Sequence, residues 1–326
     1  MKLKKTLLVG ALLLISFFSF TSAYSQGYMG YMLTKTLLDS VKVNKLTGTA
    51  GLALKVEQTD AIKFELDVAA ELVYALDKHK FRFSGNVAYN FLNDIDTGNK
   101  GFFHIQGDFF QYRIEDNKRE KTPFFFSASA TYNYDFLRSL NNRVAWGMNF
   151  TFQPLREHPH LCIEPGIGIG GTYQHWDALG SRATKLGVDR SALLESFNNL
   201  PQTSKEYLRI TDNGNYNQLN FRFNAFVNFF GDWDHIAFHV YTAVQQPISP
   251  AFKAQPSQEE LLPTEFKGIL NTKVLPLVGA GGFFQVKIWK GLSAVTRLDF
   301  LWDGGQAPVD AYGLTYCFTQ GLTYQW

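Results

Sequence analysis

Few residue spacings in this chain could do chemistry. His158, Pro159, His160 and Cys162 form a His-Pro-His-x-Cys cluster. A zinc site needs about four nitrogen or sulfur ligands. Only three are offered here, with a proline between the histidines, so a solvated turn accounts for them better. Gly166, Gly168, Gly170 and Gly171 superficially match a phosphate-cradling loop. No helical pattern follows them, and they lie within an alternating stretch where glycine lets a sheet bend or leaves room inside it. His104 with Asp108, and His239 with a Ser or Asn of a neighbouring strand, are the pairs from which a hydrolase at a barrel rim would be built. No spacing joins either to a nucleophile, base and orienter. His175 and Trp176 are placed at the start of a long loop. No catalytic residue, cofactor site or metal site is assigned.

The elements that carry these residues are strands, and the last stretch shows it most clearly. From Ala311 to Trp326, Tyr312, Leu314, Tyr316, Phe318, Leu322, Tyr324 and Trp326 share one parity. Gly313, Thr315, Cys317, Thr319, Gly321, Thr323 and Gln325 share the other. A period of two with one greasy face and one small polar face is a strand signature. Gly321, Tyr324 and Trp326 match the C-terminal insertion signal of bacterial outer-membrane barrels. A free aromatic edge would invite aggregation unless it closed a barrel.

The chain has 326 residues, with 30 Phe, 15 Tyr and 18% charged residues. Residues 1–26 read as a secretory signal: Lys2, Lys4 and Lys5, an apolar run from Leu7 to Phe20, then Ser22, Ala23 and Ser25. Removing the three lysines lowers the formal charge from +2 to −1, which leaves no footprint for nucleic acid. The apolar run is short of the roughly 20 residues that span a bilayer as a helix. Membrane residence must come from strands. Residues 27–45 form a periplasmic lead-in or plug, with Leu33, Leu37, Leu38 and Val41 at helical spacing.

From residue 46 to 326 the pattern predicts an all-β, transmembrane, antiparallel up-and-down barrel of about twelve strands. Many strands reach the ten or so residues that cross a bilayer when tilted. The parity opposite the apolar one supplies the lumen candidates: Lys63, Glu65, Asp67, Glu71, Arg82, His104, Asp108, Arg222, His239, Arg297 and Asp299. Opposed charges such as Lys55, Glu57, Lys63 and Glu65 can form ladders that fill a narrow barrel. The longest loops, Asp177–Asn215 with a short helix at Ser191–Asn199, and Pro247–Lys267, fall on the outer side. Tight turns at Gly231–Asp234 and Lys290–Gly291 fall inside, where the connection Glu115–Thr122 is unusually long. Cys162 and Cys317 sit on strands that are not neighbours, which argues against a disulfide.

Three stretches carry a family resemblance. Leu46–Gln58 (LTGTAGLALKVEQ), with Leu46 in place of an aromatic, resembles the opening strand of the DUF481 family. His79–Phe91 with Gly101–Ile114 (HKFRFSGNVAYNF, GFFHIQGDFFQYRI) resembles its third and fourth strands, and Gly313–Trp326 its closing strand. The resemblance is to salt-induced-type and especially Bacteroidetes-type members, and it implies a Gram-negative outer-membrane barrel of undefined activity, with no catalytic residues. The expected partners are the lipid bilayer, the barrel-assembly machinery through the last strand, and a small solute. The expected role is a narrow pore or a structural, stress-linked envelope component. Two alternatives stay open: an outer-membrane hydrolase acting on lipid or peptide, and a surface-binding barrel using its long loops.

Overall fold

The computed structural model describes residues 43–58, 62–90, 99–115, 118–135, 140–250, 252–270, 272–303 and 314–326. The expected signal peptide, residues 1–26, and the expected lead-in up to residue 42 lie outside the described residues. Fourteen strands follow in order: β1 (Leu46–Gln58), β2 (Ile62–Ala75), β3 (Lys80–Asn90), β4 (Asn99–Phe109), β5 (Tyr112–Glu115), β6 (Lys118–Lys121), β7 (Phe124–Asp135), β8 (Leu140–Phe152), β9 (Leu161–Asp177), β10 (Asn215–Asp232), β11 (Ile236–Pro247), β12 (Leu277–Trp289), β13 (Leu292–Asp303) and β14 (Leu314–Gln325).

Twelve of them close into one barrel, and each pairs antiparallel with its two neighbours in the ring. β4 pairs with β7, because β5 and β6 form a separate two-stranded hairpin. That hairpin accounts for the long inner connection, which periodicity alone leaves without structure. Its register pairs Tyr112 with Lys121 and Glu115 with Lys118. The ring closes where β1 meets β14, from Thr49–Gln325 to Val56–Phe318. Beyond that ladder the last residue still pairs: Trp326 N–H donates to Gly48 O at 3.0 Å, and Gly48 N–H donates to Trp326 O at 3.3 Å.

Strand alternation sets the two faces. Along β10, Leu219, Phe221 and Phe223 are 56%, 56% and 57% exposed, whereas Asn220, Arg222 and Asn224 are 4%, 1% and 7% exposed. The apolar residues therefore face outward and the polar ones inward, the reverse of a soluble barrel. In water such a surface would be an extended aggregation patch; in hydrocarbon it is the favourable one. The chain is thus a transmembrane barrel. Aromatic residues gather at the end that holds Leu46 and Trp326 (the terminal end), as expected of a membrane–water interface. Phe124 stacks on Phe152 at 5.1 Å, and Tyr324 stacks on Trp326 at 6.5 Å.

The glycine run of β9 lies mid-strand, as its alternating context requires. A Cβ on Gly168 would run into Met148 O and the Asn149 side chain, and one on Gly170 into Trp146 O. The carbonyl clashes are with backbone, which has no rotamer to change. Overpacking costs about 1–3 kcal/mol, and backbone on the far side puts Gly168→Val at the upper end. The expected outcome is a protein that no longer shows the heat-modifiable, folded band in gel electrophoresis. A normal folded fraction for Gly168→Val would show that β8 and β9 have slack at this point.

Candidate functional site in the barrel interior

The inward parity of each strand builds the candidate site, and the interior is uneven around the ring. On β4 and β7–β11 most of the described inward groups are buried. His104, Arg143, Gln174 and His239 are fully buried, and Arg222 and Asp108 nearly so. Long polar side chains from facing strands interdigitate there, and glycine on one strand makes room for an amide from another. A Cβ on Gly147 or Gly170 would come within 3.4 or 3.3 Å of Asn224 Nδ2.

A chain of contacts crosses this arc at the terminal end. Lys80 Nζ lies 3.4 Å from Asp108 Oδ2. Gln106 donates to Asp108. His104 Nε2 lies 3.3 Å from Gln106 Oε1, and its Nδ1 lies 2.9 Å from Thr131 Oγ1. Next to it, Arg82 Nε lies 3.7 Å from Glu71 Oε2, with both side chains buried. On the other side His239 Nε2 faces Asn228 Oδ1 at 3.2 Å, and its ring stacks on Phe230 at 4.3 Å. Gln153 Nε2 donates to Glu164 Oε1 at 2.9 Å.

The other arc is built of small residues. Gly51 and Ala53 of β1, Ala69 of β2, and Thr319, Gly321 and Thr323 of β14 share the inward parity, and all retain solvent exposure. Ala69 is exposed although it sits mid-strand, between Gly51 on β1 and Asn86 on β3. Asp67 accepts from Asn86 Nδ2 at 2.9 and 3.0 Å. Arg297 Nε donates to Asp299 Oδ2 at 2.6 Å, and Tyr241 OH donates to Asp299 Oδ1 at 3.1 Å. For Lys63 and Glu65 the backbone register alone is described: Lys63 stands opposite Glu57, and Glu65 opposite Lys55.

Over the packed arc the two longest loops fold together. The first holds α1 (Ala178–Leu186), α2 (Arg190–Asn198) and α3 (Gln202–Leu208), where the sequence pattern shows one short helix. The second holds α4 (Pro256–Glu260) and a 3-10 turn, Thr264–Phe266. Leu179, Ala183, Leu193, Phe197 and Leu208 from the first share one core with Phe252, Leu262 and Phe266 from the second. Arg182 ties the loops by donating to Glu265 O at 2.8 Å and Lys267 O at 3.0 Å. Asp177 caps α1 through Gly180 N–H and takes a two-pronged contact from Arg190 at 2.6 and 3.0 Å. Asp189 caps α2, and the Ser191 hydroxyl and then its N–H hold that carboxyl below the usual carboxylate range.

Several residues that stand out in the sequence have other neighbours in the fold. His175 and Trp176 belong to β9 and do not open the loop. Trp176 points into the barrel and is buried. Its Nε1 donates to Gln174 Oε1 at 3.0 Å, Arg143 Nη2 donates to the same oxygen at 2.9 Å, and the Arg143 guanidinium lies over the indole at 5.8 Å. Sequence spacing does not reveal this Arg143–Gln174–Trp176 group, and inward parity of Arg143 and Gln174 is its one signal. The His-Pro-His-x-Cys cluster is divided. His158 Nδ1 accepts from Leu161 N–H at 2.9 Å in the turn, His160 stacks on Trp233 at 5.9 Å, and Cys162 Sγ lies 3.8 Å from Glu164 Oε1. Among the described residues no group of three or more His, Cys, Asp and Glu side chains comes together as a metal would need. Thr131 is the hydroxyl beside His104, and it is buried, so no substrate carbonyl has space next to it.

No family model matches the chain, and no curated protein matches it. Solved structures resemble it weakly. A NanC porin gives a TM-score of 0.42 at 8% identity, covering 86% of this chain and 99% of that one. The translocator domain of the autotransporter NalP from Neisseria meningitidis gives 0.36 at 8% identity, covering 91% and 94%. The CymD monoaromatic hydrocarbon channel gives 0.34 at 8% identity, covering 94% of each.

The buried Glu71–Arg82 pair is open to direct test. Removing one partner of a buried pair leaves an uncompensated charge and costs about 3–5 kcal/mol, whereas apolar replacement of both is often neutral. Glu71→Ala is expected to lower the urea midpoint of the refolded barrel, and Glu71→Leu with Arg82→Met to restore most of it. A double variant as unstable as the single one would mean that the pair does more than neutralise itself.

Proposed function

We propose that this chain is an outer-membrane barrel of a Gram-negative bacterium that provides a narrow passage for a small solute. The observation that carries the reading is a closed sheet with an apolar outer face and a polar inner face, of which one mid-barrel position, Ala69, stays open to solvent. That exposure means free space beside Ala69 inside the barrel, which supports a wet interior. A barrel of twelve strands is below the sixteen or so of wide porins, and the packed arc reduces the free section further.

In this reading residues 1–26 direct export and are removed, and residues 27–45 stay in the periplasm or enter the lumen. The terminal end faces the periplasm, and the helical cap faces outward. Gly321, Tyr324 and Trp326 present the last strand to the barrel-assembly machinery, which pairs it with β1. The stretches that resemble DUF481 support this placement and bring no enzymatic residues with them. A second reading, a surface-binding barrel, is favoured by one observation. The two long loops share a single core and so offer a preorganised platform in place of two mobile loops.

The refolded protein in planar bilayers is expected to give small, steady conductance steps. Silence from protein whose folding has been verified would remove the pore reading. A folded but silent barrel that loses a surface interaction when the cap loops are deleted would put the second reading in place of the first. Tyr324→Ala with Trp326→Ala is expected to leave little heat-modifiable protein in the outer-membrane fraction. Normal amounts there would show that closure onto β1 does not depend on these rings.

A further inference from the structure

The interior has two kinds of wall, and the difference locates a route. On β8, β10 and β11 the inward side chains are buried from the middle of the barrel to both ends. Gln153 and Glu164 close the terminal end of that arc, and Gln174 and Trp176 close the end under the helical cap. A solute crossing the barrel has no path there without moving a buried charge. Along β14, β1 and β2 the inward positions include Gly, Ala and Thr, which leave the axis-facing space unfilled, and Ala69 keeps its exposure at mid-depth.

We infer that the passage runs off-axis along the β14–β1–β2 wall and takes small, hydrogen-bonding solutes. This rests on the pore reading above and adds its course and its cargo class. The chemistry follows from what lines the wall. Thr319 and Thr323 bring hydroxyl groups to the inward parity, and Asn86 brings an amide. The charged groups described on this side are hydrogen-bonded. Asp67 takes both hydrogen bonds of Asn86 Nδ2, and Arg297 and Asp299 bond to each other. Toward the loop end, Lys55 stands opposite Glu65 and Glu57 opposite Lys63 in the register of β1 and β2, two acids against two bases. A neutral polyhydroxyl solute can exchange water contacts for hydroxyl and amide contacts at small net cost.

Gly51 and Gly321 keep the wall thin for a steric reason as well. A Cβ on Gly321 would meet Leu52 O and Ala53 Cα at 2.5 and 2.8 Å, and one on Gly51 would come within 3.3 Å of Leu322 O. The residues that close the barrel at β1–β14 are thus the same small residues that leave the route open. Substitution at Gly321 would test folding and not passage, so the probe belongs at Ala69.

The test uses the full mature protein in a Cys162→Ser, Cys317→Ser background, with Ala69→Cys or Ala145→Cys added. Ala145 faces the packed arc and is 5% exposed. A small water-soluble methanethiosulfonate reagent is expected to label Ala69→Cys in the folded barrel and to leave Ala145→Cys unlabelled. Labelling at Ala69→Cys is expected to cut single-channel conductance severalfold. The unlabelled protein is expected in liposome swelling to admit neutral polyols up to a size limit.

Silence of the unlabelled barrel would overturn the pore reading and the route with it. Undiminished conductance after full labelling of Ala69→Cys would overturn the route alone. Exclusion of small neutral polyols by a conducting barrel would overturn the cargo class.

Discussion

Hydrocarbon offers no hydrogen bonds, so each backbone N–H and C=O inside the bilayer must find a partner within the chain. That constraint turns an alternating sequence into a ring. Strands with a free edge would leave a column of unpaired groups in lipid. The seam between β1 and β14 is therefore the contact on which the rest depends: without it β1 and β14 are edges, and with it the sheet has none. The seam is built from residues that let two backbones meet. Gly51 and Gly321 stand on its inner face, and Gly48 lies under the Trp326 ring on its outer face, where a Cβ would collide with the indole. The final residue completes the ladder through its own N–H and C=O, so closure extends to the last peptide group.

Once the ring exists, its interior must be filled or wet, and the two solutions divide the circumference. Large side chains on β4 and β7–β11 meet partners in pairs and relays, such as Asp108 with Lys80 and Arg143 with Gln174. Isolated charges in that dry arc would be costly, so this filling works because long polar groups meet others from facing strands. The β14–β1–β2 wall presents small side chains at mid-depth. Filling one arc and leaving the other thin gives a twelve-stranded ring a small eccentric section without changing its strand count. The helical cap follows the same division, since its base at Trp176 and Asp177 continues β9 on the filled side.

The barrel was legible because period-two alternation survives any register. Whether Leu219 pairs with Tyr173 or a neighbour, its parity keeps it on the lipid side. The even strand number followed from the same count, as did the gathering of short turns at one end and of the two longest loops at the other. Three things were not legible. The β5–β6 hairpin reads Tyr-Arg-Ile-Glu and Lys-Arg-Glu-Lys, too short and too polar for an alternating signal. α1 and α3 leave little trace although Leu179 and Ala183 stand one turn apart, because short helices in a long insert are stabilised by the opposing loop and not by themselves. The arrangement of the interior was least legible of all. Parity says that His104 and Arg222 face inward, but the pairing of His104 with Thr131 depends on the register between β4 and β7.

That dependence bears on how function can be read from such chains. A catalytic constellation in a soluble fold often leaves a local spacing, because one turn or one helix presents several of its members. In a barrel the residues that meet in the lumen come from strands tens of residues apart, each contributing every second position. The separation of His104 from Thr131 is 27 residues, and that of Tyr241 from Asp299 is 58. Spacing along the chain therefore carries little information about the lumen, whereas residue size along the inward parity carries much. The residues Gly51 and Ala53 on β1, and Thr319, Gly321 and Thr323 on β14, stand out in the sequence as small faces of two separate strands. What they mean requires the ring, because only closure brings those two faces, from opposite ends of the barrel sequence, side by side as one wall.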